Sequence, residues 1–357
     1  MDFVMFEGRS CAQVADDELK VTVTQECGQV ARILHRQSGV SPLWTSPWSS
    51  IEPSRYSPET HPQYGTGAEA RLLASMLGHS LCLDVFGHPD GAEAAAGIPV
   101  HGEASVAHYS LSGDESSIEM TAELPKAQMT FSRRVVLVGR GVVAFKEVLE
   151  SQTGFDRPIA WTQHVTLGAS FLEPGRTRFA LSADRSRTFE NRFNDGLGMQ
   201  VDGAEFDWPL CPMKDGTVEN LSILTSRPVS GGFTAHRLVP AQEHAFFIAW
   251  SERSRLAFGY VWRRADFPWL SRWEENHLRP QPPWNSRGFA LGLEFGVSPM
   301  VESRRAMVER NRMFDTPTFR WLPARSRAQV KYCAFLRHAV SMPQKVVWDG
   351  DARVELI

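Results

Sequence analysis

The chain has 357 residues, of which 42% are hydrophobic and 22% charged, the composition of an ordinary soluble globular protein. Its formal net charge is −3 and its acidic and basic residues are interspersed, so it lacks the basic stripe that would neutralise nucleic-acid phosphates. No apolar run approaches the ~20 residues that a membrane-spanning helix needs.

The cysteines and the first residues of the chain indicate a reducing compartment. The five cysteines are widely spaced and form no CxxC pair, which argues against a zinc site or a redox dithiol. Residues 1–18 contain no basic region followed by an apolar core, so they do not resemble a secretory signal. We therefore expect a cytoplasmic protein that has neither nucleic acid nor a membrane as a partner.

Short β-branched or alternating runs, separated by Gly, Pro, Asp and Asn, dominate the chain and predict β-strands. These runs are 20–25, 29–35, 118–124, 127–138, 142–149, 160–168, 178–182, 245–251, 256–263, 289–297, 329–336 and 345–349. Only 68–77 and 301–312 are rich in helix formers. Since strands and helices do not alternate, we predict an all-β protein, a large antiparallel sandwich with a single domain over residues 1–357.

Two long segments between predicted strands are rich in Pro and Trp, at 40–65 and 276–287. Long loops inside a compact β domain are usually either functional or disordered, and the Trp and Pro content of these two favours order. We expect them to form the rim of a cleft.

Three candidate functional residues lie in short patterns within or beside predicted strands. They are His101 in 97–103 (GIPVHGE), His164 in 161–168 (WTQHVTLG) and Glu294 in 288–297 (GFALGLEFGV). Strand alternation places His164 on the same face as Thr162 and Thr166, which suits a polar cleft. Glu294 is a lone carboxylate in an apolar strand, where burial is costly without a partner or a function. Taken singly, residues of these types in strands are more often structural than functional.

Motifs for other chemistries are missing from the sequence. It contains no P-loop, no GxGxxG after a strand, no HExxH and no GxSxG. His79 and His88 could in principle ligate a metal, but they have no third ligand in view.

The order of the three patterns resembles that of the galactose mutarotase-like superfamily, to which the aldose 1-epimerases belong. The segment 266–275 (DFPWLSRWEE) is similar to the aromatic stretch before that family's last catalytic strand. The segment 321–336 (WLPARSRAQVKYCAFL) is similar to its terminal strand pair. By order and spacing, the resemblance covers residues 20 to 340.

The resemblance implies a β-supersandwich with few short helices and a small-molecule carbohydrate in a cleft. It further implies interconversion of the α and β anomers of an aldose, with no metal and no cofactor, by a monomer or homodimer. Carried over by position, Glu294 would be the general base at the anomeric hydroxyl and His164 the general acid at the ring oxygen. His101 would position the sugar hydroxyls or support the acid. Both residue types suit proton transfer near neutral pH.

Four further residues are predicted to contact the sugar. They are Arg71, His79, Trp273 and Asp207. Arg71 and His79 lie near the segment that supplies a sugar-binding arginine in the family, and Trp273 would form a wall of the cleft. Asp207 is placed by sequence order alone, with Asp215 as an alternative.

The first motif departs from the family pattern, because HGE replaces the HGG or HGF of many members. Glu103 could therefore enter the site or pair with His101. In addition, QHVTL replaces the NHxxF pattern near the second histidine, so an aromatic neighbour is lost. These departures bear on the identity of the substrate more than on the fold.

Two alternative functions stay open. One is a non-catalytic carbohydrate-binding or sugar-sensing protein of the same fold. The other is an epimerase that acts on a phosphosugar, which would need cationic groups in the cleft. The candidates for those groups are Arg71, Arg263, Arg264 and Arg272.

Overall fold

The structure is a computed structural model that describes residues 1–190 and 193–357. Within these residues the α-helices are short: α1 (Ala70–Leu73), α2 (Gly91–Ala95) and α3 (Arg304–Arg310). Single 3₁₀ turns occur at Pro53–Arg55, Pro62–Tyr64 and Glu103–Ser105, and Phe193–Gly196 forms an irregular turn in which Asn194 and Asp195 have positive φ. No helix in this part of the chain is long and apolar enough to cross a membrane.

Strands make up most of the regular structure. Up to residue 188 they are β1 (Asp2–Phe6), β2 (Arg9–Ala15), β3 (Leu19–Thr24), β4 (Val30–His35), β5 (His79–Asp84), β6 (Ser110–Gly113), β7 (Ser117–Leu124), β8 (Met129–Gly139), β9 (Val142–Ser151), β10 (Arg157–Gly168), β11 (Arg178–Leu181) and β12 (Ala183–Thr188). The later strands are β13 (Glu205–Asp207), β14 (Leu210–Pro212), β15 (Val218–Asn220), β16 (Ser230–Leu238), β17 (His244–Ser251), β18 (Leu256–Arg263), β19 (Trp269–Asn276), β20 (Phe289–Gly296), β21 (Arg312–Met313), β22 (Thr316–Pro317), β23 (Arg320–Leu322), β24 (Arg327–His338), β25 (Val346–Trp348) and β26 (Val354–Leu356).

Two large antiparallel sheets form the framework. The 12-stranded sheet has the order β1-β2-β3-β4-β5-β10-β20-β19-β16-β12-β13, and β23 pairs with the start of β10. The 8-stranded sheet has the order β11-β17-β18-β24-β9-β8-β7-β6. Three two-stranded ribbons, β14-β15, β21-β22 and β25-β26, complete the fold. The predicted all-β antiparallel sandwich with few short helices is confirmed.

The main hydrophobic core lies between the inner faces of the two large sheets. Along β10, Trp161 and Val165 point into this core, and along β20 Leu293 and Phe295 do so. The Phe295 ring stacks on Trp262 of β18 with a centroid distance of 4.1 Å. Because side chains alternate along a strand, the residues between these positions face away from the core. The outer face of β10 and β20 is therefore available for a site.

The carboxy-terminal ribbon covers the outer face of the 8-stranded sheet. Val346 and Trp348 of β25 and Val354 of β26 pack on Phe246 of β17 and Phe335 of β24, and all five side chains are buried. The outer face of this sheet is therefore apolar where the ribbon lies on it.

A buried polar network joins the two large sheets. Arg133 of β8 donates from Nε to Glu147 Oε1 of β9 at 2.7 Å, and from Nη2 to Gln163 Oε1 of β10 at 2.8 Å. Glu147 also accepts hydrogen bonds from Trp161 Nε1 at 2.8 Å and Tyr332 OH at 2.6 Å. Since β8 and β9 belong to one sheet and β10 to the other, these bonds restrict how the sheets can slide past each other.

Glu147→Ala should strongly destabilise the fold, because it leaves the Arg133 charge buried without its carboxylate partner. We expect a loss of about 3–5 kcal/mol of unfolding free energy, measured by urea denaturation. Glu150→Ala is the matched control on the same strand, since Glu150 pairs with Arg327 in an exposed ion pair. Glu150→Ala should lower the unfolding free energy by less than about 1 kcal/mol. Similar losses for both variants would contradict a central role for the network.

Candidate active site

A cavity of about 380 Å³ lies on the outer face of the 12-stranded sheet, above β10, β19 and β20, and its volume is in the range of small-molecule sites. The polar and aromatic side chains that line it include His101, His164, Trp273, Arg279, Trp284 and Glu294. The three residues of the predicted catalytic set therefore converge on one cavity.

The register of two neighbouring strands places His164 beside Glu294. The two residues are direct partners in the antiparallel pairing of β10 and β20. Side chains at such positions stand on the same face of the sheet, and here His164 Nε2 lies 3.1 Å from Glu294 Oε1. His164 Nδ1 lies 3.1 Å from the Thr166 hydroxyl, which the alternation of β10 places on the same face.

Glu294 is a carboxyl group in an apolar setting. Its side chain is only 2% exposed, and Oε2 accepts no hydrogen bond from any described residue. Burial raises the pKa of Glu294 well above its usual value, because no nearby cation compensates the charged form. A carboxyl group with this property can exchange a proton near neutral pH.

The pKa of His164 is shifted in the opposite direction to that of Glu294. Burial lowers the pKa of His164 to about 4, since the imidazolium form is also disfavoured in a dry site. The resting pair is therefore a neutral imidazole next to a protonated carboxyl group. An imidazolium beside a carboxylate holds the same number of protons, so the two forms differ only by a proton shift along the 3.1 Å contact.

His101 reaches the cavity from a turn after β5. Its Nδ1 accepts a hydrogen bond from the Gly87 backbone N–H at 3.2 Å, so its proton resides on Nε2. Burial, together with the charges of His164 and His88, holds the pKa of His101 well below its usual range. The ring stands edge-on to His164 with a centroid distance of 5.7 Å. A neutral His101 can therefore donate from Nε2 to a ligand oxygen.

A steric requirement explains why glycine follows His101 in the HG pair. His101 has φ 64° and Gly102 has φ 80°, both in the left-handed region. A Cβ atom on Gly102 would lie 1.7 Å from the Leu83 carbonyl oxygen. Only glycine fits there, and this close approach brings the turn that carries His101 against β5.

Tryptophan side chains from both predicted rim loops build one wall of the cavity. The ring of Trp284, from the 276–287 segment, lies 5.9 Å from the ring of Trp273, and all distances in this paragraph join ring centroids. Trp44 and Trp48, from the 40–65 segment, pack behind Trp284 at 6.1 and 5.0 Å. Trp273 is also 6.0 Å from the His164 ring. The wall is apolar and ordered by aromatic packing.

Arg279 lines the same cavity and is held by this wall. Its guanidinium carbon lies 5.0 Å from the Trp284 centroid and 5.7 Å from the Trp273 centroid, within the range of cation–π contacts. Its Nε lies 3.4 Å from Glu275 Oε2. Glu275 Oε1 accepts hydrogen bonds from the Leu278 and Arg279 backbone N–H groups, which fixes the start of the loop.

Three of the four residues predicted to contact the sugar lie outside this cavity, and Trp273 alone lines it. Arg71 donates to the Pro53 carbonyl oxygen and lines a separate surface pocket. His79 is fully buried and contacts Gln163 Oε1 at 3.0 Å, because its position on β5 faces the core. Asp207 is exposed on the terminal strand β13.

Glu103 neither enters the cavity nor pairs with His101. Its carboxylate accepts hydrogen bonds from the Lys126 and Ala127 backbone N–H groups, and it lines the same pocket as Arg71. Asp215, the alternative to Asp207, forms an exposed ion pair with Arg227.

The arginines considered for a phosphosugar also lie elsewhere. Arg263 pairs with Asp266, and Arg272 is buried on the core side of β19 with Glu274 as its partner. Arg264 lines a different cavity. The cavity arginine is Arg279, which the sequence analysis missed; the signal available for it was its place in the Trp- and Pro-rich segment 276–287.

Among residues 1–190 and 193–357, no group of three or more His, Cys, Asp or Glu side chains is arranged to hold a metal ion. His79 and His88 do not meet, because His79 is buried between the sheets while His88 is exposed at the cavity.

Comparison with known proteins finds similarity at the level of structure. A Klebsiella pneumoniae protein proposed to be an aldose 1-epimerase aligns with a TM-score of 0.66 at 15% identity, over 93% of this chain and 80% of that chain. A galactose mutarotase-like protein from Clostridium acetobutylicum aligns with a TM-score of 0.62 at 10% identity, over 94% and 98% of the two chains. An aldose epimerase homologue from C. elegans gives 0.60 at 10% identity, over 93% and 100%.

No family model and no curated protein matches the sequence. The architecture and the structural neighbours agree with the resemblance that the sequence motifs indicate. The chain has the galactose mutarotase-like fold.

Proposed function

We propose that this protein is an aldose 1-epimerase that interconverts the α and β anomers of a sugar, with Glu294 and His164 as its catalytic residues. The observation that carries the proposal is the 3.1 Å contact between His164 Nε2 and Glu294 Oε1 inside the cavity. The anomeric hydroxyl oxygen and the ring oxygen are bonded to the same carbon atom. A base and an acid that serve both oxygens must therefore stand side by side, as these two groups do.

In the proposed reaction, the Glu294 carboxylate takes the proton of the anomeric hydroxyl while the His164 imidazolium gives a proton to the ring oxygen. The bond between C1 and the ring oxygen breaks, and an open-chain aldehyde forms. Rotation about the C1–C2 bond presents the other face of the aldehyde to the hydroxyl group. Ring closure with the reverse proton transfers then gives the other anomer.

The proton count of the pair is consistent with this cycle. The step that opens the ring converts imidazolium and carboxylate into imidazole and carboxyl group, which is the resting state of the buried pair. The dry site therefore favours the protonation state that accompanies the open-chain sugar. His101, neutral with its proton on Nε2, is suited to donate a hydrogen bond to a sugar hydroxyl.

The charges around the cavity favour a neutral sugar over a phosphorylated one. Glu275 compensates the Arg279 charge at 3.4 Å. Glu69 also lines the cavity and adds a second carboxylate beside the Arg279 guanidinium. A phosphate group would add at least one negative charge to this setting. We therefore propose a neutral aldose as substrate, its apolar face against Trp273 and its hydroxyls near Arg279.

Glu294→Gln should abolish enzyme-dependent anomer exchange, because the amide cannot take the hydroxyl proton. We expect a loss of about 10²–10⁴-fold in kcat, measured by magnetisation-exchange NMR on glucose, galactose and their 6-phosphates. Glu309→Gln is the matched control, since Glu309 is exposed on α3 and pairs with Arg305. Exchange at full rate in Glu294→Gln would refute the proposal. Sugar binding without exchange in the wild type would favour a non-catalytic binding protein instead.

The same variant should be more stable than the wild type at neutral pH. A folded-state pKa raised by burial gives stability that is present below the unfolded pKa of about 4.5 and is lost as pH rises. Replacing Glu294 with Gln removes this loss, so the melting temperature at pH 8 should rise by about 2 °C or more. The difference between the proteins should vanish near pH 4.5. A lower melting temperature at pH 8 would indicate a structural carboxylate.

The pH profile should reflect the lowered pKa of His164. The pair is active while it holds one proton, and it gains a second proton below about pH 4. We expect the acidic limb of kcat/KM to lie near pH 4, with circular dichroism checking that the protein stays folded. The alkaline limb should follow the raised pKa of Glu294. An acidic limb between pH 6 and 7 would contradict the assignment of a neutral, buried His164.

Arg279→Gln should weaken sugar binding, because it removes charged donors from the cavity wall. We expect KM to rise about tenfold with a smaller change in kcat, as is typical of a lost hydrogen bond to a charged group. Arg71→Gln is the matched control, since Arg71 precedes the cavity residues Leu72 and Leu73 in the chain but itself lines another pocket. Equal KM values for the two variants would remove Arg279 from the proposed site.

A further inference from the structure

A second cavity shares no lining residue with the proposed catalytic one. Its volume is about 620 Å³, and it opens where β19 begins and β20 ends. Its other walls come from the β21-β22 ribbon and from β23. Nothing in the proposed epimerase reaction uses this cavity.

Arg264 provides a partly buried positive charge at this cavity. Its Nε donates to the Leu238 carbonyl oxygen at 3.2 Å, which fixes the side chain without neutralising it. The nearby Asp184 is already bound by Arg237 through two hydrogen bonds, at 3.0 and 2.7 Å. Burial and the Arg237 charge lower the pKa of Arg264. The site thus contains a partly buried cation, and Asp184, the acidic group whose charge acts on it, is engaged by Arg237.

Two further guanidiniums line the same cavity. Arg312 donates to the Asp315 backbone carbonyl oxygen at 2.9 Å. Arg320, at the start of β23, lies 5.9 Å from the ring centroid of the buried Trp161. Neither Arg312 nor Arg320 forms an ion pair with a carboxylate of the described residues, and the same holds for Arg264.

The acidic side chains at the cavity compensate only part of this charge. Asp266 is engaged by Arg263 through hydrogen bonds of 3.0 and 2.7 Å. Asp315 is the other carboxylate of the described lining. Asp266 is neutralised by Arg263, which leaves Asp315 as the one carboxylate to set against Arg264, Arg312 and Arg320. The described lining therefore has an excess of about two positive charges. A phosphate monoester, with a charge of about −1.5 to −2 at pH 7, matches this excess better than a carboxylate does.

An exposed aromatic side chain lies at the same cavity. Trp321 is 55% exposed, although tryptophan is usually buried in this protein. Its ring is held edge-on by Phe319 with a centroid distance of 5.5 Å. An indole face fixed next to guanidiniums offers an apolar surface to a ring that carries a phosphate group.

We propose that this cavity is a second binding site, distinct from the catalytic one, for a sugar phosphate. The phosphate group is bound by Arg264, Arg312 and Arg320, and the sugar ring packs on Trp321. Guanidinium groups suit this role, because their planar donors form paired, charge-assisted hydrogen bonds with phosphate oxygens. The site does not depend on the epimerase proposal, since it uses none of the same side chains.

Isothermal titration calorimetry of the full chain with glucose 6-phosphate tests the proposal. Arg264→Gln and Arg320→Gln should each raise Kd about tenfold or more, as expected when a charged hydrogen bond is lost. Arg327→Gln is the matched control, since it removes the same charge from an exposed arginine on β24 that does not line the cavity. An unchanged Kd in both cavity variants, or no binding by the wild type at about 10 mM, overturns the proposal.

Further measurements separate the two cavities and the two parts of the ligand. Arg279→Gln changes the proposed catalytic cavity only, so it should leave the Kd for glucose 6-phosphate unchanged. If Arg279→Gln raises this Kd and Arg264→Gln does not, the second site is refuted. Trp321→Ala should weaken glucose 6-phosphate binding and leave inorganic phosphate binding unaffected. If inorganic phosphate binds as tightly as glucose 6-phosphate, the sugar contact is refuted. Glucuronate binding as tight as glucose 6-phosphate would refute the preference for phosphate.

Discussion

The buried pairing of Arg133 with Glu147 is the constraint on which the rest of the structure depends. Two charges in a dry core are tolerated only when both are fully hydrogen-bonded, and Gln163 of the opposite sheet supplies part of that bonding. This requirement turns Gln163 inward. Because side chains alternate along β10, the next residue, His164, must turn outward. The orientation of the proposed acid is therefore set by polar bonding on the other side of the sheet, and the antiparallel register then brings Glu294 to it.

Local periodicity explains why the strands and the orientation of His164 could be predicted from the sequence. Alternation along a strand has a period of two, so it assigns His164 and Thr166 to one face without knowledge of the fold. It does not say whether that face will meet solvent or the other sheet. His79 illustrates this limit: its strand also alternates, but its face turns to the core, and the histidine is bound there by Gln163 and Tyr260. Sequence order equally could not place Arg279, because the path of a long loop depends on the tryptophans against which it packs.

Low polarity serves two purposes in this molecule, and they oppose each other. In the core, burial is compatible with charge because each charged group is paired, as Arg133 is with Glu147. In the cavity of the proposed active site, the same burial acts on a carboxyl group without a cation, Glu294, and its Oε2 is left without a hydrogen bond from the described residues. An unpaired buried carboxyl group destabilises the fold, but it is the arrangement that brings a carboxyl pKa toward the working pH. Positions that are electrostatically unfavourable in this way are typical of functional sites.

The carboxy-terminal ribbon has a consequence for how the protein can be handled and how it can associate. Val346, Trp348 and Val354 shield the outer apolar face of the 8-stranded sheet, where Phe246 and Phe335 would otherwise meet water. An exposed apolar area of that kind is typical of interaction sites and of aggregation. Truncation before residue 345 would therefore expose this apolar face and promote association, even though the proposed active site lies on the other sheet. The apolar face under the ribbon and the proposed active site thus lie on opposite sides of the same sandwich.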